Sequence, residues 1–286
     1  MNTARMELRW VLVGLFVIGA VGLLLPWTDV PFTGGTASAL SAPIGGRSVL
    51  VAMIAGGVVA ALTGANLPER LGLWLAGAAS IVGAMFAVTM TMNDTFAIGH
   101  VVTGVACMGA TALVFAEIGH ATGTPSTIPT PAPVAAYLLA GGAAMSLLGA
   151  VLPIVDLPGS QAAISEAAWW PSGLLAIAAL FAALTAARRT DDEEAQWRLV
   201  MRGSLLLVGA ASYHSIILDA AQDVGVDLGI FSLGAFLPIF GAALSVAVAI
   251  IGRSHLSDGS AGLEVLNVRL HTTGSAGEDG AGTVEY

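Results

Sequence analysis

Lysine is absent from this 286-residue chain, and its ten basic residues are all arginine. That absence excludes a retinal Schiff base, a lysine-bearing phosphate loop and pyridoxal chemistry, each of which depends on the amine. Cysteine occurs once, at Cys107, so neither an intramolecular disulfide nor a cysteine metal cluster is possible. Charge of either sign is scarce, at 10% of residues, against roughly a quarter in ordinary globular proteins. Gly-x-Ser-x-Gly, His-Glu-x-x-His and Gly-x-Gly-x-x-Gly are all missing. The expectation is therefore a non-enzymatic protein with no resident cofactor and no catalytic set.

What the chain has instead is apolar surface: 56% hydrophobic residues and a mean hydropathy of +0.85. A soluble domain of this length cannot hide that much, and lipid is the solvent that removes the conflict. A spanning helix needs roughly 20 apolar residues to cross a hydrocarbon core of about 30 Å. Segments of that kind lie at Trp10–Trp27, Ser48–Asn66, Leu71–Met92, Phe96–Glu117, Val134–Val155, Ala168–Ala187, Leu199–Leu218 and Gly229–Ile251. Helix is the default for each, because a backbone in hydrocarbon must pair within its own segment. The shorter alternating segments of a membrane β-barrel are not seen. The fold expected is all-α, a polytopic transmembrane bundle of about eight helices.

Arginines collect on the cytoplasmic side of membrane proteins. Here Arg5, Arg9, Arg70, Arg188, Arg189, Arg198, Arg202, Arg253 and Arg269 all fall on one side if there are eight crossings, and only Arg47 falls on the other. That pattern predicts a multi-pass protein of the cell membrane with both termini cytoplasmic. Trp10, Trp74 and Trp197 near one face, and Trp27, Trp169, Trp170 and Tyr213 near the other, read as interfacial anchors. Pro171 is expected in the first turn of the sixth helix, where it loses no hydrogen bond. Pro238, inside the eighth, should kink it. The net charge of −9 without lysine is a composition found in halophilic archaea and in other high-GC genomes.

An internal repeat is visible. Leu25-Pro26-Trp27-Thr28-Asp29-Val30-Pro31 and Leu152-Pro153-Ile154-Val155-Asp156-Leu157-Pro158 share the pattern Leu-Pro-x-x-Asp-x-Pro. Gly77-Ala78-Ala79-Ser80 recurs as Gly209-Ala210-Ala211-Ser212. Two parallel four-helix repeats follow, at 1–118 and 134–252, with a Thr- and Pro-rich cytoplasmic linker at 119–133 between them. Residues 253–286, rich in Gly, Ser and acids, read as a mostly disordered cytoplasmic tail. Leu263–Leu270 within it is more apolar, suited to a short strand or a docking peptide, and the tail is the expected route to protein partners. The lipid bilayer is the other expected partner, and nucleic acid is not one.

Ionisable groups within apolar segments mark function by default. His100 and His214, with Asp219, form the one speculative polar site, on the outer side, as a metal or proton site. Helix interfaces in which each histidine finds a carbonyl or hydroxyl compete with it, since a catalytic zinc has three protein ligands. His100, Thr103, Gly104, Cys107 and Thr111 share one helical face. Asp29 and Asp156, related by the repeat, are carboxylates suited to a cation or to capping the following turn. Arg202, one turn inside the seventh segment, can snorkel to headgroups. Asn93-Asp94-Thr95 fits a glycosylation acceptor. Glu193-Glu194-Ala195-Gln196-Trp197-Arg198 and Phe96–His100 resemble motifs of the CAAX-processing membrane proteases. In that family the glutamates precede the histidine motifs. Here the order is reversed and His214 has no phenylalanine four residues before it, so the likeness is set aside. The leading expectation is a structural or accessory membrane component. The alternative is a small-solute or ion transporter with its site between the two repeats.

Overall fold

The computed structural model describes residues 3–30, 35–41, 46–63, 67, 69–91, 97–120, 132–152, 161–189, 192–223 and 233–251. Among them run eight helices: α1 (Thr3–Leu24), α2 (Gly46–Leu62), α3 (Glu69–Thr91), α4 (Ile98–His120), α5 (Ala132–Val151), α6 (Gln161–Arg188), α7 (Glu193–Asp223) and α8 (Leu233–Ile251). The linker between α4 and α5, the chain beyond Ile251, Asn93, Phe96 and Asp156 lie outside the described residues. The expected all-α bundle is the fold observed.

Between α1 and α2 lies a feature the hydropathy pattern does not predict. Strands β1 (Pro26–Val30) and β2 (Gly35–Ser38) pair antiparallel, with Asp29 opposite Thr36. The first apolar segment was expected to run to Trp27. It stops at Leu24 because Pro26 has no N–H to continue the ladder. Ala39 then donates to the Leu23 carbonyl at 3.2 Å, folding the hairpin back on the end of α1. The sixth helix is also longer than expected. It begins at Gln161, so Pro171 sits in its interior instead of its first turn, and one backbone hydrogen bond is lost there.

The helices close into two rings of four. In the first, α1 packs on α2 and α4, and α3 on α2 and α4; in the second, α5 packs on α6 and α8, and α7 on α6 and α8. Neighbours in each ring are antiparallel: Phe16 meets Gly56 while Gly19 meets Met53, and Gly141 meets Leu244 while Gly149 meets Pro238. The α5–α8 contact is backbone on backbone. A Cβ added at Gly142 would lie 2.7 Å from the Gly241 carbonyl oxygen, so only glycine permits it. Pro238, the expected kink, is packed on Gly149 there.

The rings join chiefly through α3 and α7. Gly77 meets Leu205 and Ile81 meets Gly209, so position rises together in both helices and they run parallel. Gly72, Ala76, Ser80 and Ala84, a row of small residues at helical spacing, are all buried in α3.

The surface is inside out for a protein in water. Val17, Val51, Val105, Tyr137 and Phe181 are each more than half exposed, while Ser80, Thr103, Ser146, Ser172, Ser204 and Ser245 are buried to 0%. Among the described residues, α3 and α7 contribute no exposed large apolar side chain; the other six helices, with Leu152 just past α5, contribute all of them. By length and composition four helices can cross a membrane: the windows Glu69–Met90, Ile98–Ile118, Val134–Val151 and Trp170–Arg188. Shorter apolar runs lie at Leu8–Leu24, Gly46–Leu62 and Leu233–Val248. Among the described residues the seventh helix is in neither group.

Most of the aromatic anchors are no anchors. Trp27, Trp74, Trp197 and Tyr213 are at most 6% exposed, whereas Trp10 and Trp170 are 57% and 41% exposed and fit the anchoring role. Trp27 is turned inward because its Nε1 finds the Gly22 carbonyl at 2.8 Å and its ring finds Phe86, 4.9 Å between centroids. An indole whose N–H is satisfied inside has no reason to seek the headgroups.

Candidate functional site

The expected outer-side site does not assemble among the described residues. His100 stacks on Trp27 at 4.3 Å between centroids, and its Nδ1 accepts the Ala97 N–H at 3.2 Å. That bond places the proton on Nε2. His214 is the opposite tautomer: its Nδ1 lies 3.2 Å from the Ala210 carbonyl oxygen, which can only accept. Each ring's described partners thus lie within its own half. Nε2 of both is buried without a hydrogen-bond partner among the described residues. The backbone of Asp219 lies in α7 and that of Asp29 in β1, opposite Thr36, but their side chains are outside the described set. No group of three His, Cys, Asp or Glu among the described residues is placed to hold a metal ion.

The polar face of α4 is real, and it serves packing within the first half. Thr103 donates to the Gly19 carbonyl of α1 at 3.1 Å, Cys107 lies 3.4 Å from the Met53 sulfur of α2, and Thr111 is 2.9 Å from the Ser80 hydroxyl of α3. One helix face thereby holds three neighbours.

A second polar set escaped the sequence reading. Asp192 caps α7, its carboxylate accepting the Ala195 N–H at 2.9 Å. Glu194 pairs with Arg70 of α3, and Arg198 approaches the same oxygen at 3.4 Å. Arg202 was expected to snorkel. Its Nε and Nη2 instead donate to the Phe115 carbonyl of α4, at 3.1 and 2.8 Å. That carbonyl lies near the C-terminal end of α4, where a cation is favoured by the helix dipole. Trp74 of α3 donates to the Ser204 hydroxyl at 2.8 Å, and Ser204 passes the bond on to the Met201 carbonyl. The signal for this joint was available: Glu194, Arg198 and Arg202 recur every fourth residue and so share one helical face. Their partners, Arg70 and Phe115, lie far away in the chain, so the sequence alone does not show what that face meets.

Towards the other end of α7 the halves part. A cleft of about 690 Å³ opens between α2 and α3 on one side and α7 and α8 on the other. Its walls include Val49, Val82, Ile216, Ile239 and Val246, and its hydroxyls are Ser48, Ser212 and Ser215. Ser212 is turned back on its own helix, donating to the Val208 carbonyl at 2.7 Å. Neither histidine lines the cleft. Its volume falls within the about 300–1,000 Å³ typical of small-molecule sites.

No protein-family model, curated protein or solved structure matches the chain. The class therefore rests on fold and surface alone: an all-α helical bundle with an apolar exterior, several of whose helices suit a bilayer.

Proposed function

We propose that this is a multi-pass integral protein of the cell membrane, crossing eight times with both termini cytoplasmic, and that it acts as a non-enzymatic structural or accessory component. The observation that carries the membrane reading is the inverted surface. Large aliphatic and aromatic side chains face outward on six helices, and hydroxyls are buried inside. In water such a belt would aggregate; in hydrocarbon it is the ordinary exterior. Two parallel four-helix repeats are part of the same reading. The identical neighbour scheme of the two rings and the parallel run of α3 beside α7 support it.

The test is sidedness. Cys107 is buried, so single cysteines can be placed at exposed positions without interference. With a membrane-impermeant maleimide on intact cells, Ser41→Cys labels and Arg189→Cys labels only after lysis. Labelling of Arg189→Cys on intact cells overturns the orientation. Release of the protein from membranes by alkaline carbonate overturns the membrane reading itself.

The second reading, a small-solute or ion transporter, has one observation behind it: the cleft is lined by both halves. Its described lining carries no charged side chain, which disfavours a bare cation. Proteoliposomes are expected to show no cation flux above empty vesicles.

A further inference from the structure

Arg47 is the one arginine that the sidedness pattern leaves on the wrong face, and it is the chain neighbour of Ser48 in the cleft wall. It occupies the first turn of α2, is exposed, and is followed directly by Ser48, which lines the opening. Its one described hydrogen bond is a long one, Nε to the Leu40 carbonyl at 3.4 Å. A guanidinium keeps four further N–H donors beyond Nε, in a fork that matches phosphate oxygens. The start of α2 adds N–H groups without helical partners and the positive end of the helix dipole. Beyond Ser48, the cleft runs along α7 from Val208 to Leu218, a span of about 15 Å at helical rise. Its walls are valine, isoleucine, leucine and alanine except at three serines. An exposed arginine one residue from the cleft wall and an aliphatic slot beyond it complement a molecule with an anionic head and a hydrocarbon tail.

From this we infer that the cleft is a binding site for one anionic phospholipid of the leaflet at the α2 N-terminus. Its phosphate lies at Arg47 and Ser48, and an acyl chain lies between α2–α3 and α7–α8. The inference rests on the membrane reading above. It also deepens that reading, because a lipid wedged in the seam makes the joint between the halves respond to membrane composition.

The test uses the full chain in phosphatidylcholine vesicles containing a phosphatidylglycerol that bears a photoactivatable diazirine on its acyl chain. Crosslinked residues are mapped by mass spectrometry. Carbonate extraction of the same vesicles keeps a failure of the membrane reading distinguishable from a failure of the lipid site. Label is expected to concentrate on Val82, Ala211, Ile239 and Val246 over the lipid-facing Val17 and Ile177. Arg47→Gln should lower cleft labelling about fivefold, the loss of one arginine–phosphate contact, and Arg47→Lys should restore part of it. Ala243→Phe, which fills the slot from an exposed position, should abolish cleft labelling while Arg47 stays in place. Both sites are exposed, so the fold is kept, and an unchanged circular dichroism melt checks this. Three outcomes overturn the inference: label spread evenly over the lipid-facing helices, equal cleft labelling by a phosphatidylcholine probe carrying the same diazirine, or full labelling in Arg47→Gln.

Discussion

Where α7 begins, directional contacts from three of its side chains fasten the two halves together; where it ends, the same seam widens into a cleft with aliphatic walls. At the first end Glu194 takes up Arg70, Arg202 holds the Phe115 carbonyl with two bonds and Trp74 reaches Ser204. At the second end Val82 lines the cleft opposite the α7–α8 wall, and Ser212, a hydroxyl of that wall, bonds to its own helix. The difference follows from the solvent. Lipid tails are as apolar as leucine, so aliphatic side chains gain little by meeting one another instead of lipid. Polar groups gain by meeting, because hydrocarbon offers no substitute. The polar contacts between the halves gather at the start of α7, apolar packing of Gly77 on Leu205 and Ile81 on Gly209 continues the seam, and the cleft opens beyond them.

The largest effect expected from breaking this arrangement is at Glu194. Replacing it with alanine removes the carboxylate shared by Arg70 and Arg198. Arg70's side chain is only 15% exposed and keeps its charge. The cost is about 2 kcal/mol, below the figure for a fully buried pair because Glu194 itself is 32% exposed. Equilibrium unfolding of the full chain in mixed micelles, followed by circular dichroism, measures it. In a double-mutant cycle with Arg70→Met, the coupling should account for most of the loss. Strict additivity would mean that the pair does not join the halves.

Arg202→Met comes next. It deletes both donors to the Phe115 carbonyl while keeping the apolar stem, at a cost of roughly 1.5 kcal/mol. This substitution also separates snorkelling from bonding. A snorkelling arginine is replaced by methionine at no loss, since methionine is at home in lipid; a bonded one is not. Trp74→Phe is smaller, about 1 kcal/mol, because Ser204 retains its bond to Met201 and the ring still fills its place.

What the sequence made legible and what it hid divide along the same line. Helix number and approximate position were readable, because continuous apolar runs bounded by Pro, Gly and charge dictate them locally. Rotation about each helix axis was not. In a chain this apolar, nearly every face is hydrophobic, so nothing local says that Trp27 turns inward to Gly22 while Trp10 turns outward. The polar joint was hidden for a related reason. Arg70 and Glu194 are 124 residues apart in the chain, and each alone resembles an ordinary headgroup-facing charge. For the histidines the sequence offers two readings, a shared outer-side site or separate helix interfaces, and spacing alone does not separate them. Each ring satisfies one nitrogen within its own half, through the Ala97 amide for one and the Ala210 carbonyl for the other.

The smallest effect sharpens the comparison most. Ser212→Ala removes a hydroxyl from the cleft wall, yet its bond runs to Val208, whose carbonyl belongs to the same helix. A serine bonded back on its own turn contributes little to helix stability and can slightly weaken it. Stability should therefore stay within about 0.5 kcal/mol of the unmodified chain. Ser204→Ala, about two helical turns away on the same helix, is the control. Its hydroxyl accepts from Trp74 across the seam, so its loss leaves a buried indole N–H unpaired. The same chemical change on one helix should thus be silent at the open end and costly at the closed end. Equal losses at the two serines would mean that the cleft closes around a hydroxyl bond in the membrane, and the contrast between the two ends would then disappear.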